Sequence, residues 1–147
     1  REDYQRYGCD IFRHVFPGII NLTTLNLSKT SLTDVEAIPL FKQLIHTHAL
    51  TKLEMRENYI GAKAVMTLAE VLKGGVLIKY IDLWDNRMGD EGAAALGCAL
   101  ATGAEVETLI LADNRIKTSG GYSFARGLVQ NKSLKTLDVY LNCFGEL

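Results

Sequence analysis

An α/β solenoid, with parallel strands lining a concave wall and helices on the convex side, is the fold class that three features of this 147-residue chain predict. The first is a strict period. Leu50-Thr-Lys-Leu53-Glu-Met55-Arg-Glu-Asn58, Ile78-Lys-Tyr-Ile81-Asp-Leu83-Trp-Asp-Asn86, Val106-Glu-Thr-Leu109-Ile-Leu111-Ala-Asp-Asn114 and Leu134-Lys-Thr-Leu137-Asp-Val139-Tyr-Leu-Asn142 share one pattern. Leu22-Thr-Thr-Leu25-Asn-Leu27-Ser-Lys-Thr30 is an earlier copy with Thr in the Asn place. Successive copies are 28 residues apart, and equal intervals of that size mark a stacked array. The second feature is apolar alternation within each copy, and the third is an apolar set at helical spacing after each Asn.

Each element follows in order. Leu53 and Met55, Ile81 and Leu83, Leu109 and Leu111, and Leu137 and Val139 alternate with outward residues, as a strand with one buried face requires. Asn58, Asn86, Asn114 and Asn142 end the strands, where a side-chain amide can satisfy backbone groups of the turn. Thr30 is a shorter substitute expected to bond less completely. Ala37, Leu40, Phe41 and Leu44 correspond to Val65, Leu68, Ala69 and Leu72, to Ala93, Leu96, Gly97 and Leu100, and to Gly121, Phe124, Ala125 and Leu128. Steps of three, one and three put each set on one helix face. Gly75, Gly103 and Asn131 tolerate the left-handed conformation that closes a helix, with Thr47 the exception in that column. Asp34, Asp90 and Ser119 are placed to cap or complement helix starts. Pro39 is expected to delay or kink the first helix. Strands pack about 4.8 Å apart and helices need roughly 10 Å, so the stack must curve.

The pattern L-x-x-L-x-L-x-x-N-x-apolar resembles the leucine-rich repeat across essentially the whole chain. A 28-residue period with a full helix per copy is similar to the ribonuclease-inhibitor class, a right-handed βα horseshoe. The expected organisation is a degenerate half-repeat over 1–21, full repeats over 22–49, 50–77, 78–105 and 106–133, and a partial repeat over 134–147. Counting back from Thr30 puts Cys9, Phe12 and Phe16 on helix core positions of the half-repeat. Neither end reads as a polar capping unit, so a slice of a longer protein is expected.

Composition narrows the function classes. With 48% hydrophobic and 22% charged residues, a net charge of −1 and no long polybasic stretch, the chain reads as a globular domain without nucleic-acid or membrane character. Three widely spaced cysteines, Cys9, Cys98 and Cys143, fit a reducing compartment, hence a cytoplasmic setting, in the cytosol or at the cilium and cytoskeleton. No phosphate-loop, dinucleotide or nucleophile-elbow motif occurs, so no catalytic residue, cofactor or small-molecule substrate is assigned. Gly61, Gly89 and Gly145 recur in register as punctuation of the repeat. His46-Thr-His48 lies at a helix-to-strand turn, and an H-x-H alone is not a metal site. His14 stands apart. Cys9 and Cys98 are expected to pack as small hydrophobes, Cys143 to be accessible. Asn21-Leu-Thr and Asn131-Lys-Ser match a glycosylation sequon that equally suits a turn.

The register also fixes the outward set, and with it the candidate site. The central column is Asn26, Glu54, Asp82, Ile110 and Asp138. Beside it run Ser28, Arg56, Trp84, Ala112 and Tyr140, then Lys29, Glu57, Asp85, Asp113 and Leu141. Lys52, Tyr80, Thr108 and Thr136 complete the wall. Glu54, Glu57, Asp82, Asp85, Asp113 and Asp138 outnumber Lys29, Lys52 and Arg56, so the wall is mildly acidic. Lys79 and Lys135 read as solvated edge residues. Trp84, the only tryptophan, is sent outward beside Asp82, Asp85 and Arg56, and exposed aromatics at the centre of a surface are typical anchors. The expected partner-binding set is Glu54, Arg56, Tyr80, Asp82, Trp84, Asp85, Asp113, Asp138 and Tyr140, facing a protein or peptide with a basic surface.

The resemblance extends to NOD-like receptors, Ran GTPase-activating proteins and the leucine-rich subunit of the dynein regulatory complex. It implies, first, a non-catalytic interaction scaffold in a large intracellular or ciliary assembly. A Ran-class GTPase activator and the sensing region of a NOD-like receptor are the alternatives it implies. The Cys-rich alternation of ribonuclease inhibitor is missing, which argues against nuclease inhibition.

Overall fold

A computed structural model describes residues 21–145. Cys9, Phe12, His14 and Phe16 of the expected leading half-repeat lie outside them. Five strands and four helices alternate: β1 (Thr24–Asn26), α1 (Asp34–Gln43), β2 (Lys52–Glu54), α2 (Ala62–Lys73), β3 (Tyr80–Asp82), α3 (Gly89–Ala101), β4 (Thr108–Ile110), α4 (Thr118–Leu128) and β5 (Thr136–Asp138). The strands form one sheet in chain order, every pair parallel, with Leu25, Leu53, Ile81, Leu109 and Leu137 side by side. This is an α/β repeat solenoid. None of its helices is long and apolar enough to cross a membrane among the described residues.

Strands of three residues are too short to hold themselves together, so burial between the sheet and the helix row supplies the stability. Leu53, Met55, Ile81, Leu83, Leu109 and Leu111 are buried from the strand side. Ala37, Leu40, Phe41 and Leu44, then Val65, Leu68, Ala69 and Leu72, then Ala93, Leu96 and Leu100 are buried from the helix side. Leu137 and Val139 are only partly buried against this core.

The asparagine ladder joins each repeat to the one before it. Asn86 Oδ1 accepts the Ile60 amide at 3.0 Å, while its Nδ2 donates to the carbonyls of Met55 (2.9 Å), Leu83 (3.1 Å) and Trp84 (3.3 Å). Asn58, Asn114 and Asn142 repeat the arrangement, donating back to Leu27, Leu83 and Leu111 and accepting from Leu32, Met88 and Ile116. Thr30 donates its hydroxyl to Leu27 O at 2.6 Å, closing the same turn with a shorter side chain.

Several expectations are corrected. Asp34 and Asp90 lie in the first turns of their helices, where an acid complements the start, but they do not cap them. Thr33 caps α1 in a reciprocal capping box with Glu36, and the Asp34 carboxylate instead accepts the Gly61 amide of the next repeat at 2.6 Å. Asp90 likewise accepts the Lys117 amide at 2.7 Å and the Ser119 hydroxyl. The hydrogen bond from Ser119 holds the Asp90 carboxyl below its ordinary value. Ala62 occupies the equivalent place between these aspartates and has no side-chain acceptor to offer. There Gly89 turns left-handed (φ 59°) and sends its amide to Asn114 O at 3.0 Å instead.

Gly75 and Gly103 do adopt the left-handed conformation, at φ 91° and 105°. Asn131 does not, because its amide bonds the Leu100 carbonyl and the Ser133 and Leu134 amides of the following turn. α1 starts in register with α2 despite Pro39, and its last turn passes into a 3-10 segment (Leu44–His46). In α4 the buried residues are Gly120, Phe124 and Gly127, whereas Ala125 is exposed. Glycine carries no hydropathy to mark its face. Gly97 and Gly127 let the α3 and α4 backbones touch: a Cβ on Gly97 would stand 2.8 Å from Phe124 Cα, and one on Gly127 would overlap the Gly97 carbonyl. Cys98 is exposed on α3, one position past the core step, and does not pack as a hydrophobe. Cys143 is half-buried.

Two stability outcomes follow. Asn86→Ala strands the buried Ile60 amide and leaves the Met55 carbonyl to Asn58 alone, and is expected to cost about 2 kcal/mol in urea unfolding. A loss under 1 kcal/mol would mean that the ladder bonds are dispensable. Gly127→Ala is expected to cost about 3 kcal/mol through overpacking of α3 against α4. An exposed control, Ala125→Gly, should cost no more than about 1 kcal/mol of helix propensity.

Candidate functional site

The outward faces of β1 to β5 and the turns that follow them form the wall. The residue before each ladder position, Lys29, Glu57, Asp85, Asp113 and Leu141, is left-handed in every repeat, with φ between 51° and 61°. None is glycine. The cost of that conformation is smallest for residues without β-branching, and the absence of Val, Ile and Thr from this column is the only trace it leaves in the sequence. The twist turns the backbone so that these side chains stand along one rim of the wall.

The wall's bases are taken up internally, each with an acid. Lys29 pairs with Glu57 at 3.1 Å, Lys52 with Glu54 at 3.1 Å, and Arg56 Nε with Asp82 Oδ2 at 3.3 Å. Cations also sit on rings across the same junction. Lys52 Nζ is 4.8 Å from the Tyr80 centroid, Arg56 Cζ is 4.7 Å from the Trp84 centroid, and Arg87 Cζ is 4.3 Å from the Tyr59 centroid. All three stacks join repeat 50–77 to repeat 78–105. The Tyr59–Arg87 stack lies outside the expected site, because both residues follow the ladder asparagine and belong to none of the outward strand columns.

Two placements differ from expectation. Asp82 faces the wall yet is buried, only 3% exposed, beneath the side chains that surround it. Its Oδ1 accepts the Trp84 amide at 3.0 Å. Burial pushes the Asp82 carboxyl above its ordinary value, against the lowering effect of that amide and of Arg56, and Glu54 and Asp138 push the same way as burial. The Tyr80 hydroxyl is also raised, by its own burial and by Asp82. Lys79, half-buried, and Lys135, exposed, are paired: Lys79 with Glu105 at 2.6 Å and Lys135 with Glu107 at 2.6 Å. The hydrogen bond from Lys135 keeps the Glu107 carboxyl below its ordinary value.

With the bases paired, the acid surplus concentrates at one end. Among the described residues Asp85, Asp113 and Asp138 have no cation within ion-pair distance. Trp84 is half-buried, held out of the core by the register but covered on one face by Arg56. Tyr140 is 72% exposed and Leu141 56%. Ala112, between Trp84 and Tyr140 in its column, is buried. The structure therefore brings Glu54, Arg56, Tyr80, Asp82 and Trp84 into one interlocked group, and leaves Asp85, Asp113, Asp138 and Tyr140 open beside it.

The buried aspartate makes a pH prediction. A carboxyl whose folded pKa lies above its unfolded value contributes stability that is fully present below the unfolded value and is lost as pH rises through the folded one. Wild type should therefore lose stability relative to Asp82→Asn as pH rises from about 3, below the ordinary carboxylate range, to 7. Urea unfolding of the two proteins across that range checks the sign, and a difference that moves the other way would show Arg56 outweighing burial.

Comparison with known proteins agrees with this geometry. The family described as Leucine Rich repeat matches residues 77–97, which span β3 and the first part of α3. No curated protein matches the chain at a significant level. Among solved structures the chain is similar to one titled "Leiomodin-1 Actin-Binding Site 2 (ABS2)", with a TM-score of 0.79 and 17% identity, over 88% of this chain and 76% of that one. The likeness shows the fold, an α/β repeat solenoid, and the family model marks a leucine-rich repeat at residues 77–97 within it.

Proposed function

We propose that this chain is a non-catalytic interaction module whose sheet wall binds a protein or peptide with a basic surface. The observation that carries the reading is the distribution of charge: the wall's own bases are consumed in pairs, which leaves Asp85, Asp113 and Asp138 without an ion-pair partner among the described residues, beside Trp84 and Tyr140. Unpaired acids at a surface steer a basic partner and fix its orientation, and aromatic residues supply the anchoring area. The similar solved structure is titled as an actin-binding site, and a protein ligand is the class proposed for this wall too. The 28-residue period with a full helix per repeat supports the ribonuclease-inhibitor-like class. The free cysteines Cys98 and Cys143 support a cytoplasmic protein, and a subunit of a large intracellular or ciliary assembly is the setting proposed.

A photo-crosslinking residue placed at Asp113, with a second at Lys63 on the helix side as control, tests the surface in the protein's native cell. The partner captured from Asp113 alone is then purified and titrated. Trp84→Ala is expected to weaken its binding by about 2 kcal/mol or more, and the affinity should fall with added salt. Equal affinity of wild type and Trp84→Ala would reject the wall as the binding face.

A further inference from the structure

The ladder asparagines divide two rows of charge. In the repeats that have a described neighbour on each side, the residue before the asparagine is Glu57, Asp85 or Asp113, and the residue after it is Tyr59, Arg87 or Arg115. Asp85 and Arg87 are two positions apart, as are Asp113 and Arg115, yet neither couple forms an ion pair. The left-handed backbone at Asp85 (φ 51°) and Asp113 (φ 54°) turns those carboxylates toward the wall, and the buried Asn86 and Asn114 lie between the rows.

The arginine row differs from the bases of the wall in having no acid of its own. Arg87 and Arg115 are exposed, and among the described residues no carboxylate lies within ion-pair distance of either. Both are flanked in their column by described residues, Arg87 by Tyr59 and Arg115, and Arg115 by Arg87 and Cys143, none of them a carboxylate. One arginine is also held in place. Arg87 Cζ lies 4.3 Å from the Tyr59 centroid, a stack that fixes the plane of the guanidinium and leaves its N–H edge outside the contact.

We propose that Arg87 and Arg115 receive two carboxylates from a short acidic segment of a protein partner, at a surface beside the wall and separate from it. An arginine fork takes a carboxylate through two parallel hydrogen bonds, and a side chain already immobilised by stacking loses less entropy in doing so. The acid row sets the kind of anion. Asp85 and Asp113 stand just across the ladder and repel a long polyanion, such as nucleic acid, that would overhang both rows. A short acidic stretch fits within the arginine row, and basic residues next to it in the partner fall on the acids, which fixes its orientation. This inference goes beyond the wall reading, since the arginines lie across the ladder from Trp84 and make no contact with it.

The test uses acetylated tetraglutamate amide as probe and the backbone amide resonances of Arg87, Met88, Arg115 and Ile116 as readout. Wild type is expected to show a saturable shift that weakens as salt is added. Arg87→Gln and Arg115→Gln, both at exposed positions where folding is not at risk, should each weaken binding about threefold or more, and the double variant should abolish it. Arg87→Lys keeps the charge but not the fork and should weaken it about twofold or more. Asp85→Asn combined with Asp113→Asn removes the repulsion across the ladder and should tighten it about twofold. A shift that does not saturate, or an affinity that the double arginine variant leaves unchanged, would overturn the proposal. So would tighter binding of a thymidine oligonucleotide of equal charge at the same resonances. Should tetraglutamate fail while Trp84→Ala still weakens the captured partner, the arginine row alone is rejected. Should Trp84→Ala leave that partner unaffected while tetraglutamate binds as expected, the wall reading fails and the arginine row stands.

Discussion

Everything in this molecule depends on one side-chain amide that satisfies backbone groups of two repeats at once. Asn58, Asn86 and Asn114 are buried, and each donates both to its own turn and to a carbonyl 31 residues earlier. Each also accepts from an amide 26 residues earlier. A strand of three residues offers few ladder hydrogen bonds, so the turn beyond it must be stitched separately or its polar groups would be buried unpaired, at a cost of about 1–3 kcal/mol each. Only a residue with both donor and acceptor on one short arm meets that need, and only if the repeats hold the same length. The 28-residue period is the consequence: insertion of a single residue would move the amide off its carbonyl.

Once the period is fixed, each wall residue meets the residue 28 positions away, and the surface chemistry is decided by columns. Lys29 meets Glu57, Lys52 meets Tyr80, Arg56 meets Trp84, Tyr59 meets Arg87 and Glu107 meets Lys135. Exposed ion pairs of this kind contribute little to stability, about 0–1 kcal/mol each. Their larger effect is on what the wall presents: a base paired within the column is withdrawn from any partner, and the acids that lack a column partner set the field. The junction between repeats 50–77 and 78–105 is saturated with internal pairs, and the neighbouring stretch from Asp113 to Tyr140 is not.

The parts legible in the sequence are those where burial and period coincide. The inward strand residues, the ladder asparagines and the core faces of α1, α2 and α3 follow from apolar spacing alone, because an apolar residue in a periodic column has one place to go. The face of α4 was not legible: Gly120 and Gly127 make its closest contacts, and a glycine is recognised as a contact residue only from what a Cβ would strike. Asp34 and Asp90 complement their helix starts from the first turn, as expected, but their hydrogen bonds were not legible, for a different reason. An acid in the first turn looks like a cap to its own helix, whereas here the next repeat brings an amide nearer. In the site, the outward columns were readable from register, but the depth of Asp82 was not. Its burial depends on large neighbours in adjacent columns, and alternation says only which side a residue faces.

Asp82-Leu83-Trp84 and Asp138-Val139-Tyr140 share one turn, in which the aspartate Oδ1 accepts the amide of the aromatic residue, and the depth of Asp82 shows what the first copy does with it. An Asp-x-aromatic turn builds the same carboxylate-and-ring pair wherever it occurs, since the amide bond that orients it is local. In the first copy the pair is drawn into the scaffold from one repeat earlier, by Arg56. With Arg56 there, the ring is covered, the carboxylate is closed off from water and the group acts as a clamp between repeats. Ala112 stands in the corresponding place before Tyr140, and a methyl group neither neutralises a carboxylate nor covers a ring. A single column position can thus draw a turn into the scaffold without altering the residues that form it, and the ladder beneath is left undisturbed.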